Sequence, residues 1–494
     1  MRIAIVGSGF AGSILARILQ LQGHRVLLLD RARHPRFALG ESSTPLAAIC
    51  LERLAARYGL EDLHALAAWG RWTERLPHLR RGLKRGFTFY GHEPGQPFAG
   101  GRRLLVAASP SDAIADTHWL REDVDHHLVL KAAEAGVEIL EEVDLDGLEA
   151  TSGGWRLSGA RLGQSVRFEA DLLIDASGPG GFLARHLPIP RVPVAAPHTS
   201  LVFGHFEGVA AFPDLPPGPY PDEQAAVHHL LEEGWMYVLP FDHGTVSAGF
   251  VVSGDQLADL PPDRAWTHLL ERYPTLRDQF ASARPTRPLG KIPHLQHRLA
   301  QASGDRWALL PHAYCFLSPL FSTGIAWSLL AVERLARLLE RDPSDGLGRY
   351  GELLAREADH VQDLVGGAYE AMRDFDLFAS YSFVYFAAAS FAEASQRLLP
   401  PPDGAWAWQG FLGSTDPVTR GMLSRALAAL RELPAHRFET EIRSIIEPRN
   451  LAGLADPARN RLYPVDPDPL VENAALLGLT KEEIRREIPR LMRQ

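Results

Sequence analysis

Three glycines stand in the run Gly7-Ser8-Gly9-Phe10-Ala11-Gly12, directly after the apolar stretch Arg2 to Val6. Glycines at this spacing permit a tight turn, let a pyrophosphate approach the backbone, and let the following helix pack closely on the strand. The helix that opens there points unpaired amides at the phosphates. Asp30 lies eighteen residues beyond Gly12, at the end of a second apolar stretch, where a carboxylate accepts a hydrogen bond from an adenosine ribose. Asp175-Ala176-Ser177-Gly178 ends another strand-like run, and Arg121 stands at a helix start, so Asp175, Gly178 and Arg121 are further candidate contacts to the same dinucleotide. No second Gly-x-Gly-x-x-Gly follows a strand, which argues for one dinucleotide site without a nicotinamide domain. FAD fits that reading best.

Other residues offer different chemistry. The ammonium of Lys84 can hydrogen-bond an oxidant and orient it, and burial would lower its pKa. Arg80, Arg81 and Arg85 surround it in sequence, so a solvated basic face is the alternative. Ser322-Thr323-Gly324 precedes a predicted helix from Ile325. The amides at that positive helix end suit a halide or an anionic reduced flavin, or simply a Ser/Thr-capped start. Trp235 and Tyr237 alternate on a predicted strand and share one face, either as a wall or as sheet core. The adjacent pairs His126-His127 and His228-His229 diverge on any regular element, so no metal site is expected.

The elements that must position these residues follow from the pattern. Residues 2–30 read as β-α-β, with the helix ending near Gln20. Thr117 to Ala135 carries Leu120, Val124, Leu128 and Leu130 at helical spacing, and Val137 to Leu140 and Asp171 to Asp175 read as strands. From about Pro188 the chain turns to Pro-rich loops and strands such as Trp235 to Pro240 and Thr245 to Val252. Arg306 to Val332 reads as strand, turn and helix. Composition alone predicts helices from about Arg341, with a break at Pro400 to Trp408. The expected fold class is α/β, with a Rossmann-type FAD-binding domain, a β-sheet substrate domain and a helical C-terminal region. The expected boundaries are 1–185 (with a substrate-side insertion at about 70–110), 186–300, a return segment 301–345, and 346–494.

The composition excludes several classes. Of 494 residues 46% are hydrophobic and 22% charged, as in a globular chain with a full core. The net charge of −9 gives nucleic acid no general attraction. Two cysteines, Cys50 and Cys315, make neither a disulfide framework nor a cysteine-rich zinc site, which fits a cytoplasmic location. The first residues lack the pattern of a signal peptide. Trp307 to Val332 has no Asp, Glu, Lys or Arg, but Pro311, Pro319 and Gly324 interrupt it, so no membrane partner is expected.

Four further stretches resemble the flavin-dependent halogenases, the tryptophan halogenase-like FAD-dependent oxidoreductases. Gly40-Glu41-Ser42-Ser43-Thr44-Pro45 resembles the family loop beside the flavin, and Lys84-Arg85-Gly86-Phe87-Thr88-Phe89 matches KxGxxF, which holds the catalytic lysine. Trp235 to Pro240 is similar to a degraded WxWxIP, and Ser318 to Ile325 resembles the halide and flavin loop. The resemblance extends over about residues 1–345. It implies the fold of p-hydroxybenzoate hydroxylase, flavin contacts from Glu41, Ser42, His312 and Ile325, halide at Thr323 and Gly324, and a substrate pocket at Trp235, Tyr237 and Phe321. Pro311-His312 replaces the usual Gly-Asp, Ser318 an aspartate, and Tyr237 the second tryptophan. Phe321 stands where free-tryptophan halogenases have a glutamate, which points away from free tryptophan.

The expected activity is halogenation of an electron-rich aromatic, free or carrier-bound, with oxygen, halide and FAD reduced by a separate flavin reductase. A flavin monooxygenase that hydroxylates its substrate and a flavin-binding protein without turnover are the rival readings, and a homodimer is left open.

Overall fold

A computed structural model of the chain describes residues 1–195, 197–213, 215–254, 257, 259–340, 346–399 and 409–493. The chain opens with β1 (Arg2–Val6), α1 (Phe10–Leu21) and β2 (Arg25–Leu29), the two strands parallel. Ile3, Ala4 and Ile5 are each at most 1% exposed, so β1 is buried on both faces, as an uninterrupted apolar run requires. After α2 (Pro45–Tyr58) come β3 (Arg81–Lys84), β4 (Gly86–Gly91), β5 (Arg103–Ala107) and β6 (Asp116–Trp119). β3 pairs antiparallel with β6, and β4 with β5. α3 (Arg121–Glu134) and β7 (Glu138–Leu140) bring the chain back to the first sheet, beside β2. A three-stranded antiparallel sheet over residues 143–170, which the sequence pattern does not announce, precedes β8 (Leu172–Asp175).

The second sheet is built by β9 (Thr199–Glu207), β10 (Ala226–Leu231), β11 (Gly234–Pro240) and β12 (Val246–Ser253), in spatial order β9-β12-β11-β10. β10 continues it by pairing in parallel with β4, so the sheet runs on through β5 to Leu462–Tyr463. β13 (Trp307–Leu309) returns to the first sheet beside β8. Three long helices come after it, α4 (Thr323–Leu339), α5 (Gly346–Ala371) and α6 (Phe375–Leu398), and shorter helices follow, among them Pro417–Glu432, Ala435–Ile446 and Lys481–Leu491. The fold is thus α/β, with a Rossmann-like parallel sheet, a second mixed sheet and a helical C-terminal part. The predicted break at 400–408 lies outside the described residues.

Three expectations change. Thr117 to Trp119, read with the helical stretch, belong to β6, and the helix begins at Arg121. Leu120, Val124 and Leu128 are buried, but Leu130 is half exposed, because two residues past Leu128 a helix has turned about 200° and points the other way. The helix expected from Ile325 starts at Thr323, placing Thr323 and Gly324 in its first turn. The uncharged run 307–332 divides into β13, a short helix Pro311–Tyr314 and the start of α4. α6 is long and apolar enough to cross a membrane, but 72% of its apolar window is buried within the fold, so it acts as a core helix.

A fully buried ion pair ties α4 to the helices after it. Arg334 Nη1 donates to Glu357 Oε2 at 2.8 Å, and both side chains are 0% exposed. The indole of Trp327 and the backbone amide of Phe411 donate to the same carboxylate, at 2.8 and 2.6 Å. Removing one partner leaves the other charge buried, which costs about 3–5 kcal/mol. Glu357→Ala should therefore lower the urea midpoint of unfolding steeply; a midpoint equal to wild type would show that the pair holds nothing together.

Candidate active site

A cavity of about 900 Å³ opens where the glycine turn meets the second sheet. Gly7, Gly9, Gly12, Asp30, Glu41, Ser42, Arg121 and Gly178 line it at one side, and Trp235, Tyr237, His312, Thr323, Gly324 and Ile325 at the other. Gly7 has φ +109, and a Cβ there would drive into the Ala176 carbonyl, so only glycine closes the turn. Gly9 caps α1, with no side chain covering the helix amides. Those amides face the cavity with the helix dipole behind them, which suits a pyrophosphate.

Asp30 accepts from the Ser8 amide at 2.8 Å, the Ser8 hydroxyl at 2.7 Å and Arg36 at 3.1 Å. Burial pushes its carboxyl up, but Arg36 and the amides of Ala32 and Ser8 outweigh burial and hold it below its ordinary value. Arg121 donates to the carbonyls of Leu39 (2.7 Å) and Gly40 (3.1 Å) and pairs with Asp125, so it also fixes the loop that carries Glu41. Glu41 shares a 2.8 Å hydrogen bond with His205 and accepts from Ser247 at 2.6 Å. The Ser42 hydroxyl is buried beside the cavity without a partner among the described residues. An uncapped helix end, a closely approached glycine turn and an orphaned hydroxyl are the features a bound dinucleotide would satisfy.

Asp175 does not line the cavity. Its buried carboxylate accepts from Ser177 N (2.9 Å), Ser177 Oγ (2.6 Å) and Leu183 N (2.7 Å), so it shapes the turn carrying Gly178 from beneath. At the far side, Gly324 lies so close to His312 that a Cβ would sit 2.7 Å from the ring nitrogen Nε2. Burial, then Arg121 and His297, push the His312 imidazole down to about 4, so it is neutral near pH 7. Ser322, which precedes Thr323, adopts φ +52 and caps α4 without a side-chain hydrogen bond. Trp235 and Tyr237 do share a face, but it is the face of this larger cavity, with Trp235 Nε1 donating to Tyr369 at 2.9 Å. Phe321 lines neither cavity: it is 1% exposed and stacked 4.3 Å from Tyr385, behind the surface.

Lys84 is 0% exposed, not part of a solvated face. Arg80 and Arg85 pair with Asp123 and Asp112, while Lys84 turns inward. Its Nζ donates to the Ser43 carbonyl at 2.6 Å and lies 4.0 Å over the Phe87 ring. Burial pushes its pKa down, against the opposing charge of Asp116, its partner in the β3–β6 register. A second cavity of about 240 Å³ lies beyond, lined by Thr44, Phe87, Asp116, Tyr385, Phe386 and Glu393 among others. Ser42 faces the larger cavity, Thr44 the smaller, and Ser43 between them holds Lys84. Lys84 itself lines neither cavity; the carbonyl it holds lies between residues that line the two, which puts the lysine in the wall behind both surfaces. Sequence reasoning missed the smaller cavity; the one usable signal was Asp116, an acid opening a strand whose other residues are all buried.

The glycine turn gives a direct test. A Cβ at Gly9 would lie 3.6 Å from Arg121 Nη2, so a side chain fits there but would take the space in front of the helix amides. Gly9→Asp should fold and weaken FAD binding at least about 100-fold, ~2.7 kcal/mol, by repelling the phosphates. Unchanged flavin affinity by titration would contradict the assignment.

The chain's likeness to known proteins agrees with this geometry. The tryptophan halogenase family model matches residues 117–378, and that of an NAD(P)-binding Rossmann-like domain matches residues 5–45. Over 397 residues the chain is 30% identical to monodechloroaminopyrrolnitrin halogenase PrnC of Pseudomonas fluorescens, covering 77% of this chain and 69% of that one. It is 31% identical over 361 residues to tetracycline 7-halogenase of Kitasatospora aureofaciens, covering 67% of this chain and 64% of the relative. The solved structure of halogenase PltM in complex with phloroglucinol and FAD superposes with a TM-score of 0.85 at 23% identity, over 93% of this chain and 99% of that one, a likeness of fold. The chain belongs to the tryptophan halogenase family of flavin-dependent halogenases, enzymes that use FAD.

Proposed function

We propose that the protein halogenates an electron-rich arene bound in the smaller cavity, with hypohalous acid that reaches it past Lys84. The observation that carries this reading is the placement of Lys84, a buried amine in the wall between a dinucleotide-sized cavity and a smaller one lined by both aromatic and carboxylate side chains. FAD would be held at its phosphates by the Gly7 to Gly12 turn and at its ribose by Asp30, with Glu41, Ser42, Arg121, Gly178, His312 and Ile325 around it. Reduced FAD supplies, with oxygen, the oxidising equivalent that halide needs. The first turn of α4, at Thr323 and Gly324, offers its amides to the halide. Trp235 and Tyr237 keep water and the arene away from that side.

Among the described residues Lys84 has one acceptor, the Ser43 carbonyl, and it has further protons to offer. It can hydrogen-bond the oxygen of hypohalous acid and so make the halogen more electrophilic toward a ring in the next cavity. That cavity's lining of Phe87, Tyr385 and Phe386 favours a flat aromatic, and its size favours a small one. A separate reductase is the source of reduced flavin, because the sequence has one dinucleotide fingerprint. We place the enzyme in the cytoplasm, where the buried thiols of Cys50 and Cys315 stay reduced.

Lys84→Ala tests the reading. With reduced FAD supplied, the variant should still consume oxygen, while halogenated arene falls by about 10²–10⁴-fold. Lys84→Arg should not restore it, since the planar guanidinium does not fit a pocket shaped for one ammonium. Oxygenated product from the variant at the wild-type rate would favour a hydroxylase, and undiminished halogenation would remove Lys84 from the chemistry.

A further inference from the structure

We propose that Asp116 is a catalytic residue of the smaller cavity, its carboxylate taking the ring proton that the halogenated arene releases and returning it to the Lys84 amine. The inference rests on the reading of Lys84 and that cavity given above. Asp116 opens β6 directly opposite Lys84 in β3, so both side chains leave the same face of the pair. It is 4% exposed, lines the cavity, and its Oδ2 is buried with no hydrogen-bond partner among the described residues. A buried acid without a partner is costly, and structures rarely keep one unless a ligand or a reaction uses it.

The other carboxyl groups along the cavity are already engaged. Glu393 accepts from Arg397 at 3.0 Å, and Arg397 also reaches Glu52 at 3.5 Å. Asp466 accepts from the Asp468 amide at 3.0 Å and from Arg459. The charged groups facing Asp116 are thus Lys84, Glu393 and Arg397, and the ring of Tyr385 lies close. His118 and His228, beside Lys84, are held neutral, pushed down to about 3 by burial and then by the Lys84 charge.

The proton balance closes within the pair. An arene π pair forms the carbon–halogen bond as the halogen–oxygen bond of hypohalous acid breaks, its electrons staying on oxygen. Lys84 gives that oxygen a proton, and water leaves. The ring carbon then loses its proton to Asp116, and the C–H pair restores aromaticity. Asp116, which is not in hydrogen-bond contact with Lys84, passes the proton through the released water to the neutral amine, which restores ammonium and carboxylate. The sum is arene plus hypohalous acid giving haloarene plus water. Neither end of the cycle leaves a lone charge in a dry wall, where it would be expensive. Burial pushes Lys84 down and Asp116 up, which brings the two groups toward a common proton affinity and eases the transfer.

The test uses the whole enzyme with FAD, a reductase, bromide, and phenol as probe, either ordinary or ring-deuterated. An external scavenger of hypohalous acid is assayed in parallel. Asp116→Asn keeps the shape and removes the base. It should bind FAD as wild type does and halogenate the scavenger at the wild-type rate. Its phenol product should fall about 10²–10⁴-fold, with a primary deuterium isotope effect that wild type lacks, and Asp116→Glu should recover part of the rate. Asp116→Ser carries the same test if the asparagine variant does not fold. Phenol halogenation within a few-fold of wild type without an isotope effect would overturn the proposal. So would an equal loss of scavenger and phenol halogenation, which would place the defect before the arene step, or a loss of phenol product alone without an isotope effect, which would make Asp116 a support for Lys84 only. A wild-type enzyme that halogenates neither would overturn the functional reading itself, and this one with it.

Discussion

An ammonium group removed from water must recover hydrogen bonds and an opposing charge, or it loses its proton. Lys84 recovers them from three different elements: the Ser43 carbonyl, the face of Phe87 at the start of β4, and the charge of Asp116 across the β3–β6 pair. Each supplier is itself fixed. The Ser43 amide donates to Thr117 O at 3.0 Å, and the Thr117 amide returns a bond to Ser43 Oγ at 3.1 Å, so the loop after Glu41 is stitched to β6. The Trp119 amide donates to Glu41 O at 2.6 Å, continuing that seam. The wall that holds the amine is therefore a piece of hydrogen-bonded backbone, stiff enough to keep two cavities apart.

The two sheets set what lies on each side of that wall. The parallel sheet ends at the glycine turn and at the turn after Asp175, which together face the larger cavity. The second sheet turns Trp235, Tyr237 and His228 toward the same space, while His229, one residue on, packs with Tyr90 and Phe212 on the opposite face. α6 closes the smaller cavity with Tyr385 and Phe386, and its neighbour α5 is tied to α4 through Glu357 and Arg334. A buried pair that touches the larger cavity through Trp327 thus ties together the helix layer that closes the smaller one.

The sequence was most legible where local geometry leaves little choice. Gly7, Gly9 and Gly12 after an apolar strand demand a phosphate-binding turn, and the cavity opens there. Trp235 and Tyr237 share a face because strands alternate, although which cavity that face meets depends on the opposite strand layer. Asp175 sits at the expected strand end but faces inward, because three nearby donors claim its oxygens. Phe321 is adjacent in sequence to site residues yet is covered by Tyr385, sixty-four positions away. The smaller cavity was unreadable for the same reason: its lining joins residues 44, 87, 116 and 386, and no local pattern links them. Lys84 could be singled out by spacing, but only the β3–β6 pairing reveals that it is buried and not one more charge among Arg80, Arg81 and Arg85.

The central claim is that flavin and arene occupy different chambers with Lys84 between them. Crystals grown with FAD and soaked in bromide and 4-bromophenol test it through the anomalous signal of bromine. The flavin is expected in the larger cavity, bromide by Thr323 and Gly324, and the brominated ring against Phe87 and Tyr385 with Lys84 in the intervening wall. A bromophenol bound on the Trp235 and Tyr237 side, in the same chamber as the flavin, would contradict the two-chamber arrangement.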